Sequence, residues 1–360
     1  GSGLVGSEMC IRDSKLSLIL MVLGTLLLLS ILHSISIGAV DISWKNIILL
    51  LYYKVCAVDT IQAQELLNSS TGDIIFDLRL PRIIMAVLCG SSLALGGVVM
   101  QAIVRNPLAD PYILGVSSGA AMGATASILI GSFSFLGIYG VSAGAFAGAV
   151  AATFMSFAIT FSSSGGHNMT KMILTGTALN AICGACTSMI IYLGKDADGI
   201  RDVTFWIMGS LSRASWSTLS LNLFIFVICC FYFLGQFRSL NASLLGDEMA
   251  VILGVQLEKK RKLYLVLISV LVSSVVAAVG IVGFVGLVIP HIVRIIYGNN
   301  HLRLLPISVL TGAVYMVWCD VFARTVLMNT EIPIGVLTSL IGGPFFLYLM
   351  INKKYGYGEK

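Results

Sequence analysis

Apolar and polar positions along this chain come in long blocks. Ten largely uncharged stretches recur, at about 16–38, 82–104, 109–130, 136–161, 171–193, 216–237, 262–282, 284–298, 304–326 and 334–351. Most run about 20 residues, enough for an α-helix to cross about 30 Å of hydrocarbon. The third, eighth and tenth are shorter or are interrupted by Gly or Pro. The pattern predicts an all-α polytopic membrane protein with ten transmembrane helices.

Composition strengthens this picture. Of 360 residues, 57% are hydrophobic and 11% charged, where a soluble domain is about a quarter charged. Mean hydropathy is +0.96. Many of the 37 glycines lie inside apolar runs, where small residues let membrane helices approach closely. The eight cysteines sit mostly in apolar segments, with no pair of them beside histidines in a loop, so no zinc site is expected. Residues 1–14 have no pattern in common with the rest of the chain and are expected to be a non-native or disordered leader. Residues 15–354 then form one ten-helix transmembrane domain, and 355–360 a cytoplasmic tail.

Lysine and arginine set the orientation. With the N-terminus inside and ten alternating spans, 14 of the 22 basic residues fall inside and both termini are cytoplasmic. The eight outside are matched by nine acids. A weak internal repeat also shows. Gly97, Pro107 and Gly115 recur as Gly280, Pro290 and Gly298, each 183 positions later. In this topology the two copies, about 80–194 and 262–351, run in opposite directions, an inverted repeat of the kind transporters use.

Several constellations stand out. "DLRLPRIIMAVL" (77–88) places Arg79 and Arg82 around a proline at the edge of an apolar run. With Arg324 they share the outer mouth. Such arginines either snorkel to lipid headgroups or present a basic rim to an acidic partner. Asp320 lies within a span and has Arg324 at i+4, the spacing of an intramembrane ion pair. The competing role for Asp320 is proton coupling. The loop "VRNPLADPYILG" (104–115) ends regular helix at Asn106-Pro107 and Asp110-Pro111. It reads as a gate or as a rigid turn. "GFVGLVIPHIVRIIYG" (283–298) is a second break and holds His291 and Arg294. The longest inner loop, 238–262, contains a short amphipathic helix at about 243–256. Ser243 is its expected cap, Asp247 and Glu248 fill its first turn, and Leu244, Leu245, Met249, Ile252 and Leu253 form its apolar face. Such a helix wants a groove in a partner. No GxxxxGK[ST] P-loop, HExxH or TVGYG sequence occurs.

These motifs carry a resemblance. "LRLPRIIMAVLCGSSLALGGVVMQAIVRNPLADPYILGVSSGA" (78–120), "FWIMGSL" (205–211), "LLGDEMAVILGV" (244–255), "GFVGLVIPHIVRI" (283–295) and "EIPIGVLTSLIGGPFFLYLM" (331–350) resemble the FecCD-type permeases of iron-complex and vitamin B12 ABC importers. The resemblance covers residues 16–354. It implies a type II ABC importer permease in the bacterial cytoplasmic membrane, with no catalytic residue, metal or cofactor of its own. The implied partners are a second permease, expected to be an identical chain, two cytoplasmic ATPases that hold ATP and Mg, and an extracytoplasmic substrate-binding protein. Nucleic acid is not among them.

The resemblance implies residue roles too. Arg79, Arg82 and Arg324 match the outer arginines that receive acids of the binding protein. Leu244, Leu245, Gly246, Asp247, Glu248, Met249, Ala250, Leu253 and Gly254 match the helices that seat in the ATPase. Asn106, Leu108, Met169 and Thr170 fall where the pathway closes on the cytoplasmic side. The substrate class is a metal chelate, ferric siderophore or haem ahead of cobalamin. The alternatives are a proton-coupled secondary transporter working through Asp320 and a membrane structural subunit with no pathway.

Overall fold

The computed structural model describes residues 2–38, 40–56, 60–162, 169–327 and 330–351. Among them no β-strand occurs. Helix α1 (Ser2–Ser36) holds the first apolar segment. Its backbone is helical from Ser2, so the leader set apart on sequence is continuous with the first span. Three short helices come next, where only an outer loop was expected: α2 (Trp44–Val55), α3 (Ile61–Leu67) and α4 (Ser70–Asp73). Each starts at a side-chain cap. Ser43, Thr60 and Ser69 accept the backbone N–H of Asn46, Ala63 and Gly72, satisfying donors that a helix start leaves open.

From Ser70 the chain stays helical through a π-helical stretch, Ile74–Arg79, into α5 (Leu80–Val104). The second span therefore begins well before residue 82 and runs through Pro81. The wider turn ahead of the proline makes this possible, with Leu80 N–H reaching Ile75 O. Then come α6 (Val116–Leu129), α7 (Gly140–Phe161), α8 (Met169–Leu193), α9 (Ala197–Met208), α10 (Trp216–Gly235), α11 (Phe237–Leu244), α12 (Asp247–Ile252), α13 (Leu257–Val279), α14 (Val285–Tyr297), α15 (His301–Thr325) and α16 (Ile334–Ile351). Each of the ten apolar segments carries one helix. Among the described residues seven helical runs are long and apolar enough to cross a membrane. The shorter ones, in α6, α14 and α16, are the three segments whose pattern was short or interrupted.

Helix α5 is the centre of the bundle. Its apolar window is 89% buried, against 17% for α1 and 22% for α10, and it packs against α10, α13, α14 and α15. Helices α6, α7 and α8 form a second group. The α5–α15 contact is made backbone to backbone at Gly90 and Gly312. A Cβ on Gly90 would lie 2.0 Å from Gly312 O, so any side chain there would push the two helices apart.

The three-residue repeat does not correspond to equivalent backbone. Gly97 lies inside α5 and Gly280 caps the end of α13. Pro107 is in a loop and Pro290 is inside α14. An offset of 183 is therefore the wrong register. What does recur is an order of lengths: α5, α6 and α7 have 25, 14 and 22 residues, and α13, α14 and α15 have 23, 13 and 25.

Candidate functional site

The three rim arginines converge, and their partners explain why charges stand at the edge of hydrocarbon. Helix α1 ends at Ser36, leaving carbonyls with no intrahelical donor. Arg79 Nη1 donates to Ile35 O and, at 3.3 Å, to Ser36 O, and its Nη2 donates to Val40 O. Arg324 Nη1 donates to Ile37 O at 3.0 Å, and its Nη2 to Ser34 O at 3.3 Å and Ser34 Oγ at 2.8 Å. Two guanidinium groups thus close the end of α1 where water is scarce. Gly38 leaves room for this, because a Cβ there would lie 2.5 Å from Arg79 Nη2.

Arg82 is bound differently. Its Nε lies 2.8 Å from Asp320 Oδ1 and its Nη1 2.8 Å from Glu331 Oε1. Arg324 Nε lies 3.0 Å from the other oxygen, Asp320 Oδ2. The i+4 pair read from sequence is present, extended into a chain Glu331–Arg82–Asp320–Arg324. The side chain of Asp320 is 1% exposed and that of Glu331 is 47% exposed. Of the three arginines, Arg82 is the one that makes a direct ion pair with a carboxylate half in solvent. The sequence reading placed the three cations together but missed Glu331, whose place in the loop before α16 gives no local signal.

The segment 238–262 divides into α11 and α12. Ser243 does not cap α12, contrary to expectation. It is buried in α11, and its hydroxyl bonds Leu240 O at 2.7 Å. Gly246 stands at the N-cap instead, with φ +100°, and Gly254 comes just after the helix with φ +77°. Both conformations favour glycine. At the C-terminal end Gly254 N–H donates to Val251 O at 2.9 Å and Val255 N–H to Ala250 O at 2.8 Å, the paired closure of a Schellman motif. Asp247 and Glu248 occupy the first turn as predicted. Asp247 grips Arg261 of α13 with both oxygens, one of them at 3.0 Å. Ala250 is buried with Ala242 and Leu257. Leu245, Met249, Val251, Ile252 and Leu253 face outward. Leu244 is half-buried. A helix clamped on one side with five large apolar side chains exposed on the other presents a docking surface.

The proline loop is braced from within. Asn106 Oδ1 accepts Leu108 N–H at 2.9 Å, and Asp110 Oδ1 accepts Tyr112 N–H at 2.8 Å, opening a 3-10 turn over Pro111–Leu114. Tyr112 O–H donates to Val282 O at 3.0 Å in the unwound stretch between α13 and α14. The two breaks therefore meet, and the first supplies a donor to the second's open backbone. Met169 and Thr170 open α8 on a separate element. Residues 163–168 of the loop before them lie outside the described residues. Helix α8 reaches the proline loop further along, where a Cβ on Gly176 would lie 1.8 Å from Ile113 O. His291 is buried within α14.

Among the described residues no three His, Cys, Asp or Glu side chains come together. The pattern GxSxG occurs twice, as "GVSSG" (115–119) and "GVSAG" (140–144). Both lie at helix starts with no strand before them, so neither is a nucleophile elbow.

The chain matches the FecCD transport family over residues 26–352. It is 38% identical over 344 residues to the hemin transport system permease HmuU of Yersinia pestis, covering 93% of this chain and 96% of that protein. It is 41% identical over 283 residues to the cobalamin import system permease BtuC of Halobacterium salinarum, covering 78% and 74%. It is 37% identical over 338 residues to the molybdate import system permease MolB of Haemophilus influenzae, covering 94% and 96%. A metal-chelate type ABC transporter solved in an inward-facing conformation matches with a TM-score of 0.79 and 34% identity, over 93% of this chain and 99% of that one. With its apolar helices and the two breaks that meet at Tyr112 and Val282, the chain belongs to the FecCD transport family and is a multi-pass ABC importer permease.

Proposed function

We propose that this permease passes a metal chelate, with haem or a ferric siderophore ahead of cobalamin, into the cytoplasm. It works as a homodimer in the bacterial cytoplasmic membrane with both termini inside. Two ATPase subunits, which hold the ATP and Mg, seat against α12. A substrate-binding protein docks on the arginine rim. The observation that carries this reading is α12, which is clamped by Asp247–Arg261 and exposes Leu245, Met249, Val251, Ile252 and Leu253. A helix built that way belongs in a partner's groove. The substrate class leans on the similarity to the hemin permease along nearly the whole chain.

Docking at the rim falls chiefly to Arg82. Arg79 and Arg324 hold the end of α1, whereas the Glu331 carboxylate on Arg82 is half in solvent and can yield to a partner's acid. Proton coupling through Asp320 is disfavoured, because a proton would have to displace two arginines from that carboxylate. Chemistry in the permease is confined to conformational change. ATP-driven movement of α12 alternately opens the path between two permeases to each side. Asn106, Leu108, Met169 and Thr170 form the inner gate in this scheme.

The test is uptake into liposomes holding the permease with its ATPase, with the binding protein outside. Haemin, a ferric siderophore, cyanocobalamin and molybdate are offered in turn. ATP-dependent uptake of haemin or the siderophore is expected. Uptake of molybdate alone moves the substrate to an oxyanion. Uptake that ignores ATP and collapses with a protonophore overturns the importer.

A further inference from the structure

Helix α11, immediately before α12, is fastened to the inner end of α15 by one side chain. Asn241 Oδ1 lies 2.9 Å from His301 N–H and 2.8 Å from His301 Nδ1. Its Nδ2 donates to Asn300 Oδ1 at 3.1 Å, and that same oxygen accepts Leu302 N–H at 3.0 Å. Asn300 is the N-cap of α15. Asn241 therefore serves as a second cap, brought from another helix, on a first turn whose N–H groups would otherwise be orphaned. His301 is fully buried, so water cannot substitute without rearrangement.

The outer end of the same helix carries Asp320 and Arg324, two of the rim charges. Helix α15 as a whole is 25 residues long, with Pro306 in its second turn, about 37 Å at 1.5 Å per residue. Along that length it is pressed onto α5 through Gly90 and Gly312. Helix α5 begins beside Arg79 and carries Arg82. At its inner end Ala102 O lies 3.2 Å from Ser243 Oγ of α11. One helix pair thus touches both the rim and the root of α12.

We propose that α15, with α5 alongside it, is the rod that carries motion between the outer rim and the coupling helix. Asn241 is the positioning residue that ties α11 and α12 to its inner end. This rests on α12 being the ATPase contact.

The test is hydrogen–deuterium exchange on the permease–ATPase complex in lipid discs, with and without Mg-ATP, for wild type, Asn241→Ala and Asn241→Asp. In the wild type, Mg-ATP alters exchange at α12 and also at the rim, in the last turn of α1 and in residues 330–333. In Asn241→Ala the change at α12 persists and the change at the rim is lost. Asn241→Asp keeps the acceptor for His301 N–H and Nδ1 but loses the donor to Asn300 Oδ1, and restores the rim response in part. A role in folding alone would raise exchange along α15 without nucleotide and leave the Mg-ATP response in proportion. Two results overturn the rod: a wild type that responds at α12 but not at the rim, or an Asn241→Ala rim response equal to wild type. The first needs no variant to fold. An absence of any response at α12 in the wild type would instead defeat the ATPase assignment itself.

Discussion

Arg82 Nε lies 2.8 Å from Asp320 Oδ1, joining residues 238 positions apart. The contact locks the start of α5 to the end of α15 and supplies Asp320 with one of two cationic partners. A carboxylate that is 1% exposed must be paired to stay charged at low cost.

Replacing Asp320 by Asn leaves the buried Arg324 with no carboxylate in contact and Arg82 with Glu331 alone. We expect a loss of about 3–5 kcal/mol, the usual cost of removing one partner of a buried pair. Thermal unfolding in lipid discs measures it. Stability within error of wild type would show that the pair carries no structural weight.

Arg79 and Arg324 should behave as structural groups. Arg79→Ala orphans the buried Ile35 carbonyl, at a cost of about 1–3 kcal/mol. Arg79→Lys should recover only part of the loss, because an ammonium cannot reproduce the planar fork that spans Ile35, Ser36 and Val40. Faster hydrogen exchange in the last turn of α1 is the expected signature. An unchanged α1 would return Arg79 to the role of a free docking post.

Glu331 should act as a placeholder on Arg82. Its side chain is 47% exposed, so Glu331→Gln should change stability by less than about 1 kcal/mol. The same change removes the carboxylate that competes for Arg82. Binding-protein association should then become faster and more strongly dependent on salt. Association rates measured by surface plasmon resonance over a salt series test this. Slower association in the variant would make Glu331 a contact for the partner.

Leu253→Asp tests the coupling surface. Leu253 is 57% exposed, so the permease should unfold within about 0.5 kcal/mol of wild type, as surface substitutions do. Co-purification of the ATPase should fall sharply, since an apolar groove rejects a carboxylate. Retention of the ATPase at wild-type stoichiometry would place its contact elsewhere.

Much of this architecture is legible in the sequence because membrane helices announce themselves by length and by the absence of charge. The ten apolar segments and the irregularity of the third, eighth and tenth come from that alone. The Asp320–Arg324 pair comes from helical spacing, and the α12 acids from the preference of helix starts for anions. Contacts that depend on tertiary approach are not legible. Pro81 signals a helix start, yet a π-turn lets the helix run back to Ser70. Ser243 has the right chemistry for a cap, but a glycine with positive φ at 246 resets the boundary. Glu331 and Asn241 find their partners 249 and 60 positions away, and no local pattern marks either.

The most direct single measurement is ATP hydrolysis by the permease–ATPase complex in lipid discs, with loaded binding protein added to wild type, Arg82→Glu and Arg79→Lys. A permease that receives its partner on Arg82 shows stimulated turnover in wild type, retained stimulation in Arg79→Lys and none in Arg82→Glu. Equal stimulation of all three would show that docking does not use this rim. A complex from which no ATPase can be recovered would contradict the importer assembly altogether.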